Sequence, residues 1–362
     1  MVKRQHRRVG LGIAMACCIG VLGACTTGSG SNDNDGGGGE GGNGVPATAT
    51  SAELREATLN ALDAKTVAFV PVGLGTPLTE EWARQMKRGF EAAGMEFVVR
   101  DPNWDTAKQA EAVQSLINEK PAAIVVHNLD VQVLAKLIQQ AQDAGIYVIQ
   151  INMTSNYKSD AFVGADVIQL GKTIATDIVE ECGADTSTSH EVQIVQGDAT
   201  SGFTLDLMEG AKSVFDQDSS IKIVSTQAAN WDRTKAHDIT ATVIQQNPDL
   251  CASWGFWDQM QYGAATAIKE AGKQDSVKVF ASDASTVACE AIRDGLFFES
   301  YGYSVPTQGT NIVALTKALI VGGQPAGTTR IADFTPLVKI DGSNWDQPGM
   351  CYDGKNDFVT VR

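Results

Sequence analysis

From Thr66 onward the chain alternates short apolar runs with stretches whose apolar residues recur every three or four positions. TVAFVPV (66–72) is apolar without interruption, as expected of a strand covered on both faces in a parallel sheet. Trp82, Met86 and Phe90 then fall at i, i+4 and i+8, one face of a helix. MEFVV (95–99) reads as the next strand. The helix after it opens at Thr106, places Gln109 at a capping-box position and turns Val113, Leu116 and Ile117 inward. AIVV (123–126) feeds a helix capped by Asp130 with Leu134, Leu137, Ile138 and Ala141 on its buried side, and IYVIQI (146–151) follows. Four strands joined by three helices predict a doubly wound α/β lobe.

The alternation then begins again. AFVGA (161–165) leads into a helix starting at Asp166 with Ile174 and Ile178 inward. VQIVQG (192–197), IKIVST (221–226), CASWGF (251–256) and VKVFAS, which ends just before Asp283, alternate with further helices. LFFESYGYS, a helix over Thr307–Ile320 and a strand PLVKI (336–340) close the pattern. Two such lobes meet across a cleft, where strand C-termini and helix N-termini present polar groups to a ligand.

The chain before Thr66 has a different character. Lys3, Arg4, Arg7 and Arg8 precede the apolar run VGLGIAMACCIGVLGA, which is shorter than the ~20 residues that span hydrocarbon. The L-G-A-C stretch ending at Cys25 resembles a bacterial lipobox. That resemblance implies loss of residues 1–24, lipidation of Cys25 and an extracytoplasmic protein tethered to the cell membrane. SNDNDGGGGEGGNG follows and cannot form a core, so residues 25–62 read as a flexible tether. About 300 residues remain, enough for two domains of ~150.

Removing the leader's four basic residues takes the formal charge from −15 to −19. That acidic balance argues against nucleic acid as a partner, because no basic face is available to displace counterions from phosphate. Cys17 and Cys18 leave with the leader, and Cys182, Cys251, Cys289 and Cys351 remain, an even number in a compartment where disulfides persist. Four cysteines allow three complete pairings. No CxxC pair or tight Cys/His cluster suggests redox or metal chemistry, and no G-x-S-x-G, G-x-x-x-x-G-K-[ST] or H-E-x-x-H motif is present. Glycines 36–42 precede every strand and are no phosphate fingerprint. The reading is a protein with no cofactor, no metal and no catalytic residue.

Candidate ligand contacts lie where predicted strands end. Trp82 is either a cleft residue or part of the Met86–Phe90 core stripe. Trp231, Asp232 and Arg233 follow the strand near Ile223; a ring can cover a sugar's C–H face while carboxylate and guanidinium bind its hydroxyls, with helix capping by Asp232 as the alternative. Trp257 and Asp258 repeat that chemistry, Asp283 ends the next strand, and Asn152 can both donate and accept. Tyr301 and Tyr303 either reach the cleft or cover an interlobe crossing. His127 fits a structural hydrogen bond better than catalysis.

W-x-x-x-x-K-x-G from Trp82 to Gly89, VGADVIQLG around Asp166, VQGDATSG (195–202), NWDRTKAHDITATVIQQNPDL (230–250), WDQMQYGAATAI (257–268) and SDASTVACEAIRDG (282–295) occur in order across most of the chain. Together they resemble the ribose-type sugar-binding proteins of bacterial ABC importers, the type I periplasmic binding proteins. The resemblance implies two Rossmann-like lobes with parallel central sheets, three interlobe crossings and closure over a ligand. The expected boundaries are 63–157 with 301–332 for the first lobe and 158–300 with 333–362 for the second. It also implies Trp82 and Trp231 as aromatic platforms, Arg233 as a hydroxyl clamp and Asp283 as an acceptor of sugar hydroxyls. Where ribose-type proteins carry an acidic and a basic residue after the fourth strand, this chain has Asn152 and Met153. The arginine usual in the next lobe is replaced near Leu205, and a polar position before Asp258 is Trp257. Ribose itself is therefore disfavoured against a polyol, a deoxysugar or a more apolar ring.

The functional expectation is a monomeric, lipid-anchored receptor that captures a sugar or polyol and presents it to a permease. The alternatives are a receptor for an aromatic metabolite or nucleoside, and more remotely an extracellular carbohydrate-active enzyme using Asp232, Asp258 and Asp283. If the second lobe has the usual strand order, Cys182 lies beside Cys251. A returning tail would then bring Cys351 to Cys289, so the pairs Cys182–Cys251 and Cys289–Cys351 are expected.

Overall fold

The computed structural model describes residues 50–186 and 189–356. The leader, Cys25 and the glycine tract lie outside the described residues.

The expected tether ends earlier than residue 62. Helix α1 (Ser51–Leu62) is closed by a capping box in which Thr50 accepts from the Glu53 N–H and Glu53 accepts from the Thr50 N–H. Leu62 is its single buried residue, so the helix carries almost no apolar stripe and its surface reads as tether. The Thr50-x-x-Glu53 spacing was its one local mark.

The first sheet has the order β2 (Glu96–Val99), β1 (Thr66–Val70), β3 (Ala123–Val126), β4 (Tyr147–Ile151), β5 (Ala161–Ala165) and β11 (Ile331–Thr335), with every neighbouring pair parallel. The second repeats it as β7 (Lys222–Ala228), β6 (Glu191–Gln196), β8 (Ala252–Gly255), β9 (Lys278–Asp283), β10 (Glu299–Gly302) and β12 (Val338–Asp341). There only the last pair is antiparallel. Helices flank both sheets, chiefly α2 (Pro77–Glu91), α3 (Thr106–Glu119) and α4 (Ala135–Asp143) in the first lobe. The second lobe carries α5 (Val167–Cys182), α6 (Gly202–Phe215), α7 (Arg233–Gln246), α8 (Asp258–Glu270) and α9 (Thr286–Arg293). The two lobes form the type I periplasmic binding protein fold.

Three crossings join them, at positions other than those expected. β5 pairs with β4 and so belongs to the first lobe, which moves the first change of lobe from 157–158 to the step between Ala165 and Val167. The second falls between β10 and α10 (Val305–Gly322), a helix that returns to pack on α2. The third falls between β11 and β12 rather than at 332–333. β11 is largely solvent-exposed along its length, and an exposed edge strand carries no apolar run to mark it.

A buried polar knot ties the crossings together. The Thr335 hydroxyl lies 2.6 Å from the Tyr303 carbonyl oxygen and 3.2 Å from that of Gly164. Gln308 Nε2 donates to both the Tyr303 carbonyl (3.2 Å) and the Thr335 hydroxyl (3.0 Å). Gln308 Oε1 accepts from Trp82 Nε1 at 3.1 Å.

Both expected disulfides form, Cys182–Cys251 with Cα atoms 6.0 Å apart and Cys289–Cys351 at 6.4 Å. Each lies within the second lobe. Gln109 makes no capping box, because Asp105 is the N-cap of α3. Its buried amide instead donates to the Pro71 and His127 carbonyls and accepts from the Leu129 N–H, binding the loops that follow β1 and β3.

Candidate functional site

The same tripeptide turns the chain at matching places in the two lobes. After β2, Asn103, Trp104 and Asp105 lead into α3; after β7, Asn230, Trp231 and Asp232 lead into α7. Asn103 and Trp104 have φ of 51° and 62°, and Asn230 and Trp231 have 55° and 62°. A bulky side chain at positive φ is strained by about 1–3 kcal/mol and persists where its surroundings fix it. Here the following aspartates fix it. Asp105 Oδ1 accepts from the Ala107 and Lys108 N–H groups at 2.9 and 3.0 Å, and Asp232 Oδ1 from the Lys235 N–H at 2.7 Å.

Each tryptophan lies against a glycine just past the first strand of its lobe. A Cβ on Gly73 would come within 2.6 Å of the Trp104 ring, and one on Gly197 within 2.2 Å of Trp231. Neither ring could occupy its place over any other residue. Trp257, at the N-cap of α8, completes the group from the second lobe, with ring centroids 6.1 Å from Trp104 and 6.4 Å from Trp231. Phe203 sits between Trp231 and Tyr303, 6.3 and 6.1 Å from each.

These rings line a narrow gap between the lobes. The first lobe contributes Val72, Thr76, Leu78, Thr79, His127, Asn152 and Met153 to its walls, and among the described residues no Asp, Glu, Lys or Arg side chain lines it. Asn152, at φ 58°, hydrogen-bonds Tyr303 through its side chain, and its Oδ1 has no partner. His127 has neither ring nitrogen hydrogen-bonded, and burial lowers its pKa to about 3, so the ring is neutral.

Asp258 and Asp283 lie behind Trp257, each about fully buried. Asp283 Oδ2 accepts from Trp257 Nε1 at 2.8 Å and Oδ1 from the Tyr352 hydroxyl at 2.5 Å. Asp258 Oδ2 accepts from the Ser285 N–H and hydroxyl at 2.8 and 2.6 Å. Burial raises the Asp283 pKa to about 6, against the lowering effect of its Tyr352 and Trp257 hydrogen bonds. Burial, and then the neighbouring Asp283 charge, push Asp258 well above the carboxylate range.

The folded protein holds the Asp283 proton more tightly than the unfolded chain does. The stability it contributes is full below about pH 4 and is lost as pH rises through about 6. Asp258 shifts in the same direction, as does Glu299, raised by burial to about 8. Buried His127, with its lowered pKa, opposes these shifts by losing stability as pH falls through about 6.5, so the carboxylates are read from a difference. On acidification from about pH 7.5 to 5.5 the melting temperature is expected to change more favourably in the wild type than in Asp258→Asn, which isolates the pair from Glu299. An equal change in the two proteins would contradict the assignment.

Of the residues selected from sequence, Asn152, Trp231 and Trp257 line the gap. Asp258 and Asp283 stand behind it, with both Asp283 oxygens and Asp258 Oδ2 accepting from protein donors and Asp258 Oδ1 buried without one. The other four lie elsewhere. Trp82 is completely buried beneath His127, its ring meeting the imidazole edge-on at 4.9 Å, as the core-stripe alternative required. Asp232 is an exposed helix cap. Arg233, also exposed, places its guanidinium 4.0 Å over the Tyr262 ring, because the first turn of α7 carries it away from Trp231. Tyr301 hydrogen-bonds Asp177 at 2.6 Å within the second lobe, while Tyr303 reaches the gap. Trp104, Phe203 and Tyr352 were missed. The second Asn-Trp-Asp was the signal for Trp104.

Residues 67–324 match the periplasmic binding protein domain family. The D-allose-binding periplasmic protein of Escherichia coli is 28% identical over 269 residues, covering 70% of this chain and 84% of the relative. The ribose import binding protein of Bacillus subtilis is 26% identical over 214 residues, covering 58% and 68%. Among solved structures, a Mycobacterium smegmatis protein in complex with β-D-fucofuranose superposes with a TM-score of 0.71 at 23% identity, covering 78% of this chain and 93% of that one. A galactofuranose-binding protein gives 0.71 at 21%, covering 78% and 96%.

Proposed function

We propose, because the chain belongs to the periplasmic binding protein domain family, that it is the substrate-binding component of an ABC importer. It takes an uncharged, sugar-like ligand between its lobes outside the cytoplasm and delivers it to a membrane permease. The observation that carries this reading is the gap itself, walled by rings from both lobes at the C-terminal ends of two parallel sheets. Contacts made by both halves favour the closed population, and the permease distinguishes closed from open. The protein binds and releases; it makes and breaks no bond.

Trp104, Trp231 and Trp257 are assigned as the ring platforms and Asn152 as a hydrogen-bonding contact. A thermal-shift panel of pentoses, hexoses, polyols and nucleosides tests the ligand class. Stabilisation by nucleosides alone would replace the sugar-like reading. With a ligand in hand, Trp104→Ala is expected to weaken binding at least about tenfold. Arg233→Ala should leave affinity within about twofold, since its guanidinium lies over Tyr262. Loss of affinity in Arg233→Ala with Trp104→Ala unaffected would invert the assignment.

The lipobox-like sequence at Cys25 supports a lipid tether to the membrane. Cys25→Ser should move the protein from the membrane fraction to the soluble extracytoplasmic one. An unchanged distribution would remove the tether.

A further inference from the structure

Resting on the sugar-like reading, we infer that the ligand is a neutral ring poor in hydroxyls, a deoxygenated or O-methylated sugar or cyclitol with two apolar faces. The gap's polar inventory sets this limit. Four wall atoms lack partners: both His127 ring nitrogens, Asn152 Oδ1 and Trp231 Nε1. A neutral imidazole supplies one donor and one acceptor, so the four amount to two donors and two acceptors. The Thr76 and Thr79 hydroxyls, 3.0 Å apart, are bonded to each other. The nearby carboxylates lie behind Trp257 and outside the gap's lining: Asp283 is engaged by Trp257 and Tyr352 and Asp258 Oδ2 by Ser285, while Asp258 Oδ1 is buried without a partner.

A fully hydroxylated hexopyranose carries about five hydroxyls, each able to donate and to accept. Enclosed here, several would lose water and gain nothing, which costs affinity for every group left unpaired. Replacing those hydroxyls with hydrogen or methyl removes that cost, methoxy removes its donor part, and the added carbon gives area against the tryptophans. A quaternary ammonium also suits an aromatic cage. It offers no donor or acceptor, however, and would leave all four wall atoms unpaired, His127 and Asn152 among them at 1% and 3% exposure.

Matched probes test the inference by calorimetry: D-galactose against D-fucose, its 6-deoxy form; D-ribose against 2-deoxy-D-ribose; myo-inositol against its mono-O-methyl ether; and choline. The less hydroxylated member of any pair that binds is expected to bind at least about tenfold more tightly. Trp231→Phe, which keeps a ring but lacks the N–H, should weaken that ligand about tenfold with an unchanged apo melting temperature. Equal or tighter binding of the fully hydroxylated member would overturn this inference and leave the sugar-like reading standing. Tightest binding by choline, or by none of the probes, would overturn both.

Discussion

Trp82→Ala is expected to destabilise the protein by about 3–5 kcal/mol, the usual cost of deleting a large buried ring. The ring is fully buried, and its Nε1 donates to Gln308 in the knot where the three crossings meet. Trp82→Phe separates two contributions. It keeps most of the volume but leaves Gln308 Oε1 without its donor, for about 1–3 kcal/mol. Chemical denaturation of the three proteins measures both. If Trp82→Ala keeps its stability and loses only ligand affinity, the ring belongs to the cleft after all.

Removing the Cys182–Cys251 bond by a double Cys→Ala change is expected to cost about 4 kcal/mol, from the entropy of closing a loop across its sequence separation of 69. Cys289–Cys351, separated by 62, carries a similar entropic value. It also holds Tyr352 against Asp283, so its loss should reduce the Trp257 ordering that depends on that carboxylate. Melting with and without reductant, on wild type and each double variant, checks the pair. Reduction that leaves the wild-type transition unmoved would mean that neither bond restrains the unfolded chain.

Continuous apolar runs marked the buried parallel strands clearly, since a strand covered on both faces has no polar side to confuse it. Where burial is partial the pattern fades. β11 sits at a sheet edge and α1 buries only Leu62, and both escaped a reading built on periodicity. The site divided along similar lines. Asn152 and Trp257 could be named because they immediately follow strands, where the fold places ligands. Asp232 and Arg233 flank Trp231, yet capping commits the first to the helix N-terminus and the helical turn carries the second away. Trp82 belonged to a stripe with Met86 and Phe90, and helical spacing indicated core more reliably than aromatic chemistry indicated ligand. Tyr352 was signalled only indirectly, through the expected Cys289–Cys351 bond, which brings the neighbouring Cys351 to the helix after Asp283.

The first lobe is discontinuous in sequence, and this orders events in time. Its sheet is not complete until β11 docks beside β5, and α2 is not covered until α10 returns from beyond residue 304. A chain emerging from its N-terminus must therefore expose five strands of the first lobe while the second lobe is delivered as far as β10. The first lobe is then completed by β11 and the second by β12, so both close only near the end of the chain. A newly emerged chain is thus obliged to stay pliable for most of its length, a state compatible with threading through a narrow channel before the final strand locks it.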